Sequence, residues 1–266
     1  MKYLKIISLL LLLIFTSCEN EELLNVDSAY KELLVVQSEI TPGSNFPGVR
    51  LTKTLPLGIP YDINLSEIKD ATIYIRIDSI KIIPLHYTTE GFYKPLYDLP
   101  VSSGEYYELF GERGNQTFYA KTKIPYQPNL ENVFFDINGF YAGADVYSYS
   151  NECYAALWKV DAGTLKSADD FFQISTAENE MSGGTISVRA ASYPQEYQTN
   201  AYNGKRYIQI FSFDESFEKY FTTKSGNQVI NNPYVQGTGS TDWNVEGRDV
   251  VGMFIGYARS DIHFVN

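Results

Sequence analysis

Reactive side chains are scarce in this chain. Its 266 residues include two histidines and two cysteines, and they contain no G-x-S-x-G, H-E-x-x-H, G-x-x-x-x-G-K-[ST] or G-x-G-x-x-G motif. His86 and His263 both lie in short strand-like runs, where a structural histidine is the expected role. We therefore expect a protein that is not an enzyme and that has no cofactor and no metal site.

Basic residues are also scarce. Lys and Arg number 21 against 32 Asp and Glu, the formal net charge is −11, and the longest basic cluster is the pair Lys205-Arg206. A surface that binds nucleic acid needs a basic patch. The composition therefore argues against a nucleic-acid partner.

Three groups of carboxylates are the remaining candidates for a reactive or metal-binding site. Residues 136–139 begin like a calcium loop but lack its later acidic positions. Asp169 and Asp170 are expected to occupy a loop or a cap. The third group shares one glycine-containing loop, and its composition suits a cation or a sugar: Asp242, Trp243, Glu246 and Asp249.

The first cysteine defines the N-terminal segment. Cys18 follows two lysines, an apolar run at residues 6–15 and the small pair Thr16-Ser17, which is the layout of a secretory signal. The run is shorter than the ~20 residues that span a bilayer. Residues 15–18 resemble a bacterial lipobox, which implies removal of residues 1–17 as a signal peptide and lipidation of Cys18. An ordinary secretory signal cleaved nearby is the alternative.

Lipidation sets further expectations for the rest of the chain. With Cys18 acylated, Cys153 is the one remaining thiol, so no intrachain disulfide is expected. Cys153 lies in an apolar strand-like run and is expected to be buried. Residues 18–30 form an acidic tether, which resembles the signal that exports Bacteroidota lipoproteins to the outer face of the outer membrane. We expect an outer-membrane, lipid-anchored protein that faces either the cell surface or the periplasm.

Past the tether the sequence has the pattern of β structure. Runs rich in β-branched and aromatic residues alternate with period two, which predicts strands at residues 33–40, 71–77, 115–121, 185–189 and 206–211. Turns are expected at the intervening glycines: Gly91, Gly104, Gly111, Gly114, Gly143, Gly183, Gly184 and Gly204. One short helix is expected where Ser212 begins a capping box and aromatic residues follow at helical spacing: Phe217, Tyr220 and Phe221.

Two prolines mark a domain boundary. Pro125 and Pro128 interrupt the strand pattern, as at a stiff linker or domain edge. Residues 31–124 then predict an N-terminal β-sandwich, Ig-like or transthyretin-like. Residues 125–266 predict a second β-rich domain that contains the helix. The fold class is therefore mostly β.

The order of several short segments resembles a known family. The segments are residues 34–40, 49–56, 70–73, 91–93, 119–125, 244–247 and 252–254. Together they look like the successive signatures of the Bacteroidota outer-membrane lipoproteins that share the domain of unknown function 4249. The resemblance implies an N-terminal β-sandwich, a second β domain and frequent association with TonB-dependent transporters. It implies no catalytic residues.

Aromatic residues supply the candidate binding positions. The chain has 22 Tyr, 16 Phe and 2 Trp, and most of them are expected to fill strands and cores. Four lie in Gly-, Ser- or Asn-rich stretches without a core-facing period, and these are the candidates for an exposed site: Tyr141, Tyr147, Tyr149 and Trp243. Such residues suit a glycan, a peptide or a protein partner.

These observations predict a function without catalysis. The first expectation is an accessory or ligand-capture protein, anchored by lipid in the outer membrane and associated with a TonB-dependent transporter. The first alternative is a free-standing carbohydrate-binding surface lipoprotein. The second alternative is a cryptic hydrolase that uses Asp169, Asp170 or Asp249.

Lipidation of Cys18 is directly testable. Cells grown with radiolabelled palmitate should incorporate label into the wild-type protein and not into Cys18→Ser, because the substitution removes the thiol that carries the lipid. Label that persists in the variant would contradict the assignment of Cys18.

Overall fold

The computed structural model of the protein describes residues 30–168, 171–176, 184–198, 202–222 and 243–265. Predictions outside the described residues concern Cys18, Asp169, Asp170, Gly183, Asp242 and the side chains of Tyr220 and Phe221. Contacts within the chain define a small unit, residues 1–31 with 56–59, and a large unit, residues 32–55 with 60–266. The large unit contains every helix and strand of the described ranges. No helix in those ranges is both long and apolar enough for a membrane crossing.

The first half of the large unit consists mainly of antiparallel strands. Its elements are β1 (Leu34–Ile40), β2 (Val49–Lys53), α1 (Ile63–Ser66), β3 (Thr72–Ile77), β4 (Lys81–Tyr87), β5 (Phe92–Lys94), β6 (Tyr106–Arg113) and β7 (Gln116–Lys123). Strand β3 illustrates the pattern, because Ile73, Ile75 and Ile77 are buried while Tyr74 and Arg76 lie half-buried on the opposite face.

The second half continues the same architecture. Its elements are β8 (Leu130–Asp136), β9 (Tyr141–Tyr147), β10 (Glu152–Asp161), β11 (Leu165–Ser167), β12 (Ser175–Thr176), β13 (Thr185–Arg189), α2 (Gln195–Gln198), β14 (Arg206–Asp214), α3 (Ser216–Thr222), β15 (Val245–Gly247), β16 (Val250–Arg259) and β17 (His263–Val265). Strands β13, β9 and β8 form a separate three-stranded sheet. All other strands belong to a sheet with the order β11-β10-β14-β16-β1-β2-β5-β4-β3-β6-β7-β15, in which β12 pairs with β10 and β17 with β14.

Strand β16 joins the two halves of the chain. It runs parallel to β1 from Leu34 opposite Val250 to Ile40 opposite Gly256, and it pairs antiparallel with β14. Gly252 is required for this close approach. Its φ is +138°, and a Cβ there would collide with the backbone oxygen of Val36.

The buried apolar residues form three clusters. The first comprises residues between 34 and 124 together with Val245, Val250 and Phe254 from the end of the chain. The second is built from residues 142–210 and Val265. The third lies on the opposite face of β10, β14 and β16 and contains Cys153, Ala155, Phe213, Phe217, Met253 and Ile255. The predicted boundary at 124/125 separates the residues of the first cluster from those of the second, except that Val245, Val250 and Phe254 belong to the first. The division into two domains stays a prediction.

The mostly β fold class is confirmed, and the predicted short helix is present as α3. The capping box predicted at Ser212 is wrong, because Ser212 belongs to β14 and its hydroxyl donates to the carbonyl of Tyr126 at 2.7 Å. Asp214 caps the turn instead, and its Oδ1 accepts from the backbone N–H of Ser216 at 2.9 Å. The structure also has two four-residue helices, α1 and α2, that the sequence analysis did not predict.

Two of the predicted turn glycines are strand residues. Gly111 lies within β6 and Gly143 within β9. A Cβ at Gly111 would overlap the Phe118 ring, and one at Gly143 would overlap the Phe134 ring. Each glycine therefore leaves room for an aromatic side chain on the neighbouring strand.

Candidate functional site

A buried polar network lies where β7 ends and β10 begins. We define it as Lys123, Glu152, Tyr154 and Asp214. The Lys123 ammonium donates to the carbonyl of Ser150 at 2.7 Å and to Glu152 Oε1 at 3.3 Å. The backbone N–H of Lys123 donates to Asp214 Oδ2 at 2.5 Å. The network thus ties the end of β7 to β10 and β14.

Glu152 is the centre of this network. Its side chain is 0 % exposed. Oε1 also accepts from the backbone N–H of Tyr126 at 3.1 Å, and Oε2 accepts from the Tyr154 hydroxyl at 2.9 Å. Burial raises the pKa of Glu152, and the neighbouring Lys123 charge and the hydrogen bonds oppose that rise. The carboxyl group therefore serves to position the backbone and side chains around it.

Three tyrosines pack together beside the network, and we call Tyr126, Tyr147 and Tyr149 the tyrosine cluster. The Tyr126 and Tyr149 rings are stacked with centroids 4.5 Å apart, and Tyr147 contacts Tyr149 edge-on at 5.0 Å. Tyr126 is 40 % exposed, and the other two are half-buried. The structure thus brings together two of the predicted candidates, Tyr147 and Tyr149, with a third tyrosine that the sequence analysis did not single out.

Hydrogen bonds from the network fix the backbone of the tyrosine cluster. The N–H of Tyr149 donates to the Tyr154 hydroxyl at 2.9 Å, and the N–H of Tyr126 donates to Glu152. The Lys123 ammonium lies 5.8 Å from the Tyr126 ring centroid. These contacts order the backbone of Tyr126 and Tyr149.

Tyr141 lies apart from the tyrosine cluster. It begins β9 while Tyr147 ends it, and six residues of strand separate them by roughly 20 Å. The Arg189 guanidinium lies 5.0 Å from the Tyr141 ring centroid and 4.4 Å from that of Phe172. Tyr141 therefore stacks on a cation of its own sheet.

Trp243 is half-buried and packs against the third apolar cluster. Of its predicted companions, Glu246 lies in β15 and Asp249 in the turn to β16, with φ of +61°. The packing of Trp243 against the core favours a structural role for this residue.

The remaining candidates from the sequence lie in a turn or on strands. Asp136 Oδ1 accepts from the N–H groups of Asn138 and Gly139 at 2.8 and 3.0 Å, so it closes the β8–β9 turn. Cys153 is buried, and burial raises the pKa of its thiol well above the ordinary value. His86 is exposed on β4, and His263 is half-buried on β17. Across the described ranges no three His, Cys, Asp or Glu side chains are grouped closely enough to hold a metal ion.

A groove on the outer face of β3, β6, β7 and β15 was not predicted, and we call it the acidic groove. It encloses about 500 Å³, and its aromatic wall consists of Tyr74, Phe110 and Tyr119. Tyr74 and Phe110 are stacked at 4.9 Å, and Phe110 meets Tyr119 at 5.1 Å. Glu112 and Glu246 also line it, and within the described part of the chain neither carboxylate has a hydrogen bond or an ion pair.

An ion pair supports the aromatic wall of the acidic groove. Arg76 donates to both oxygens of Glu108 at 2.7 and 2.9 Å, and Arg76 lies 5.0 Å from the Phe110 ring centroid. The Tyr119 hydroxyl donates to the same carboxylate at 3.1 Å. The Arg76 guanidinium holds the pKa of Glu108 below its usual value. These contacts connect side chains of β3, β6 and β7 beneath the groove's aromatic residues.

Comparison with known proteins adds no assignment. No family model matches the chain, and no curated protein is significantly similar to it. The resemblance to the family of the domain of unknown function 4249 stays a prediction that rests on the sequence segments given above.

Glu152→Gln tests the buried network through pH dependence. Because burial raises the pKa of Glu152, this carboxyl contributes most stability below its unfolded pKa of about 4.3, and that contribution falls as the pH rises through its folded pKa. We expect the free energy of unfolding of the wild type, measured with urea, to fall relative to that of Glu152→Gln as the pH rises from below the unfolded pKa of Glu152 through its folded pKa.

Glu108→Gln is the matched control, because the pKa of Glu108 is lowered rather than raised. The wild type should gain stability relative to this second variant as the pH rises above the folded pKa of Glu108. If the free energies of unfolding of the wild type and Glu152→Gln change in parallel with pH, the raised pKa of Glu152 is contradicted.

Proposed function

We propose that the protein is a lipid-anchored accessory or ligand-capture subunit of the outer membrane that works by association with a TonB-dependent transporter and without catalysis. The Cys18 signal layout and the family resemblance support the anchor and the partner class. In the structure, the tyrosine cluster is the single observation that supports the proposed contact surface.

The tyrosine cluster has the physical properties of a binding anchor. Tyrosines that are central and desolvated contribute about 2 kcal/mol or more each to an interface. Rings that are already held in place lose little conformational freedom when a partner binds. The hydrogen bonds that the backbone N–H groups of Tyr149 and Tyr126 donate to Tyr154 and Glu152, together with the ring contacts, supply that order here. The surface therefore suits a protein or peptide partner that covers all three rings.

Replacing Tyr126, Tyr147 and Tyr149 with alanine together should weaken association with the partner. We expect co-purification from detergent-solubilised outer membranes to fall at least tenfold, because the three rings would supply the central contacts. Mass spectrometry of the co-purified material measures the loss.

Tyr61→Ala is the matched control, since Tyr61 is 68 % exposed and has no contact with the tyrosine cluster. The control should retain the partner, and both variants should keep the wild-type thermal unfolding temperature within a few degrees. A triple variant that folds and retains the full amount of partner would show that this surface is not the contact.

The acidic groove favours carbohydrate binding as a second candidate function. Sugar rings present apolar C–H faces to aromatic side chains and hydroxyl groups to carboxylates. The groove offers both, with Tyr74 and Tyr119 on either side of Phe110 and two carboxylates without a partner in the described residues. It also lies on an exposed sheet face, where a glycan chain has access.

Binding to immobilised neutral glycans tests this second candidate. Glu112→Gln with Glu246→Gln should reduce binding by about tenfold or more, because a site built to accept hydroxyl hydrogen bonds loses its charged acceptors. Glu90→Gln with Glu196→Gln removes the same charge from exposed positions elsewhere and should leave binding unchanged. Equal binding by the two double variants would exclude the acidic groove as the glycan site.

A further inference from the structure

A second cavity lies on the same face of β10, β14 and β16 as the third apolar cluster, and we call it the basic pocket. It encloses about 780 Å³, within the size range of small-molecule sites. Its lining includes Lys159 from β10, Gln209 from β14, Arg259 from β16 and Thr41 and Ser44 from the β1–β2 loop. No sequence motif pointed to it.

The sheet register explains how these residues meet. Lys159 lies opposite Tyr207, and Arg259 lies opposite Phe211 on the other side of β14. Gln209 falls between those two positions on β14, so alternate side chains place all three residues on one face of the sheet. Gln209 is 7 % exposed, and its amide nitrogen donates to the carbonyl of Ser260 at 2.9 Å.

The two cations of the basic pocket lack acidic partners. Arg259 has no hydrogen bond or ion pair in the part of the chain that the structure describes, and Lys159 reaches the Ser167 hydroxyl at 3.3 Å. Asp261 is the one acidic residue in the lining, and it forms no ion pair with either cation. Burial, and secondly the Arg259 charge, lower the pKa of Lys159.

Several other cations of this acidic protein have acidic partners. Arg76 pairs with Glu108, Lys123 with Glu152, and Arg113 with Glu32 and Asp70. In a chain of net charge −11, two neighbouring cations that form no ion pair at a concave surface repel each other. An anion placed between them would offset that repulsion.

We propose that the basic pocket binds a small molecule through one oxyanion group, a carboxylate, a sulfate or a phosphate. Arg259 presents a planar fork that matches two oxygens of such a group, and Lys159 adds a point charge. The Gln209 amide and the Thr41 and Ser44 hydroxyls line the space for the rest of the ligand. This binding activity does not depend on the tyrosine cluster or the acidic groove.

Calorimetric titration with four related sugars tests the proposal and identifies the group. The probes are glucose, glucuronate, glucose 6-sulfate and glucose 6-phosphate, which differ mainly in the group that they carry. We expect at least one anionic probe to bind at least tenfold more tightly than glucose, with an affinity that falls as sodium chloride is added. The rank of the three anionic probes tells carboxylate from sulfate and phosphate.

Lys159→Gln with Arg259→Gln should reduce the binding of the preferred anionic probe at least tenfold. The control, Lys166→Gln with Arg248→Gln, removes two exposed charges nearby in sequence and should leave the binding of that probe unchanged. The acidic-groove variant, Glu112→Gln with Glu246→Gln, should also retain this binding. If the pocket variant does not fold, the affinities of the wild type for glucose and for the three anionic probes decide. Glucose binding as tightly as every anion, no anion binding at millimolar concentration, or full binding by a folded pocket variant would overturn the proposal.

Discussion

A lysine and two carboxylates buried at the junction of β7, β10 and β14 connect the two halves of the chain. Removing water from charged groups is costly, and a buried pair tolerates the loss of one partner poorly, at about 3–5 kcal/mol. Lys123, Glu152 and Asp214 offset that cost through mutual contacts and through backbone groups. Bonds to Glu152 and Tyr154 also hold the backbone of Tyr126 after β7 and of Tyr149 after β9, and both residues belong to the tyrosine cluster.

The protein separates charges of opposite sign on different parts of its surface. The acidic groove uses the outer face of β3, β6 and β7, where the aromatic wall is supported by an ion pair. The basic pocket uses the β10, β14 and β16 face. The inner face of β3, β6 and β7 packs on the first apolar cluster, which leaves their outer face free for the acidic groove. The two proposed sites would therefore present opposite charge to chemically different ligands.

The sequence predicts the strands well and the surfaces poorly. Period-two alternation located β1, β3, β7, β13 and β14, because one face of each strand packs in the interior. The same alternation hid Tyr74 and Phe110, since an aromatic residue on the outer face resembles one in the core. Lys159 and Arg259 are a hundred residues apart, and only the order of strands brings them to one pocket. Gly111 and Gly143 were predicted as turn residues because nothing in the adjacent sequence shows that the glycine makes room for an aromatic ring on the neighbouring strand.

The parallel pairing of β1 with β16 sets an order of assembly. Within the described ranges β1 is the first strand and β16 the last but one, and contacts so distant in sequence form slowly because a long loop must close. Until then β1 presents an unpaired edge, and the first apolar cluster lacks Val245, Val250 and Phe254. A nascent chain that has emerged only to β15 therefore remains incompletely folded. The order of the described strands in the large sheet is therefore complete only once β16 has paired with β1.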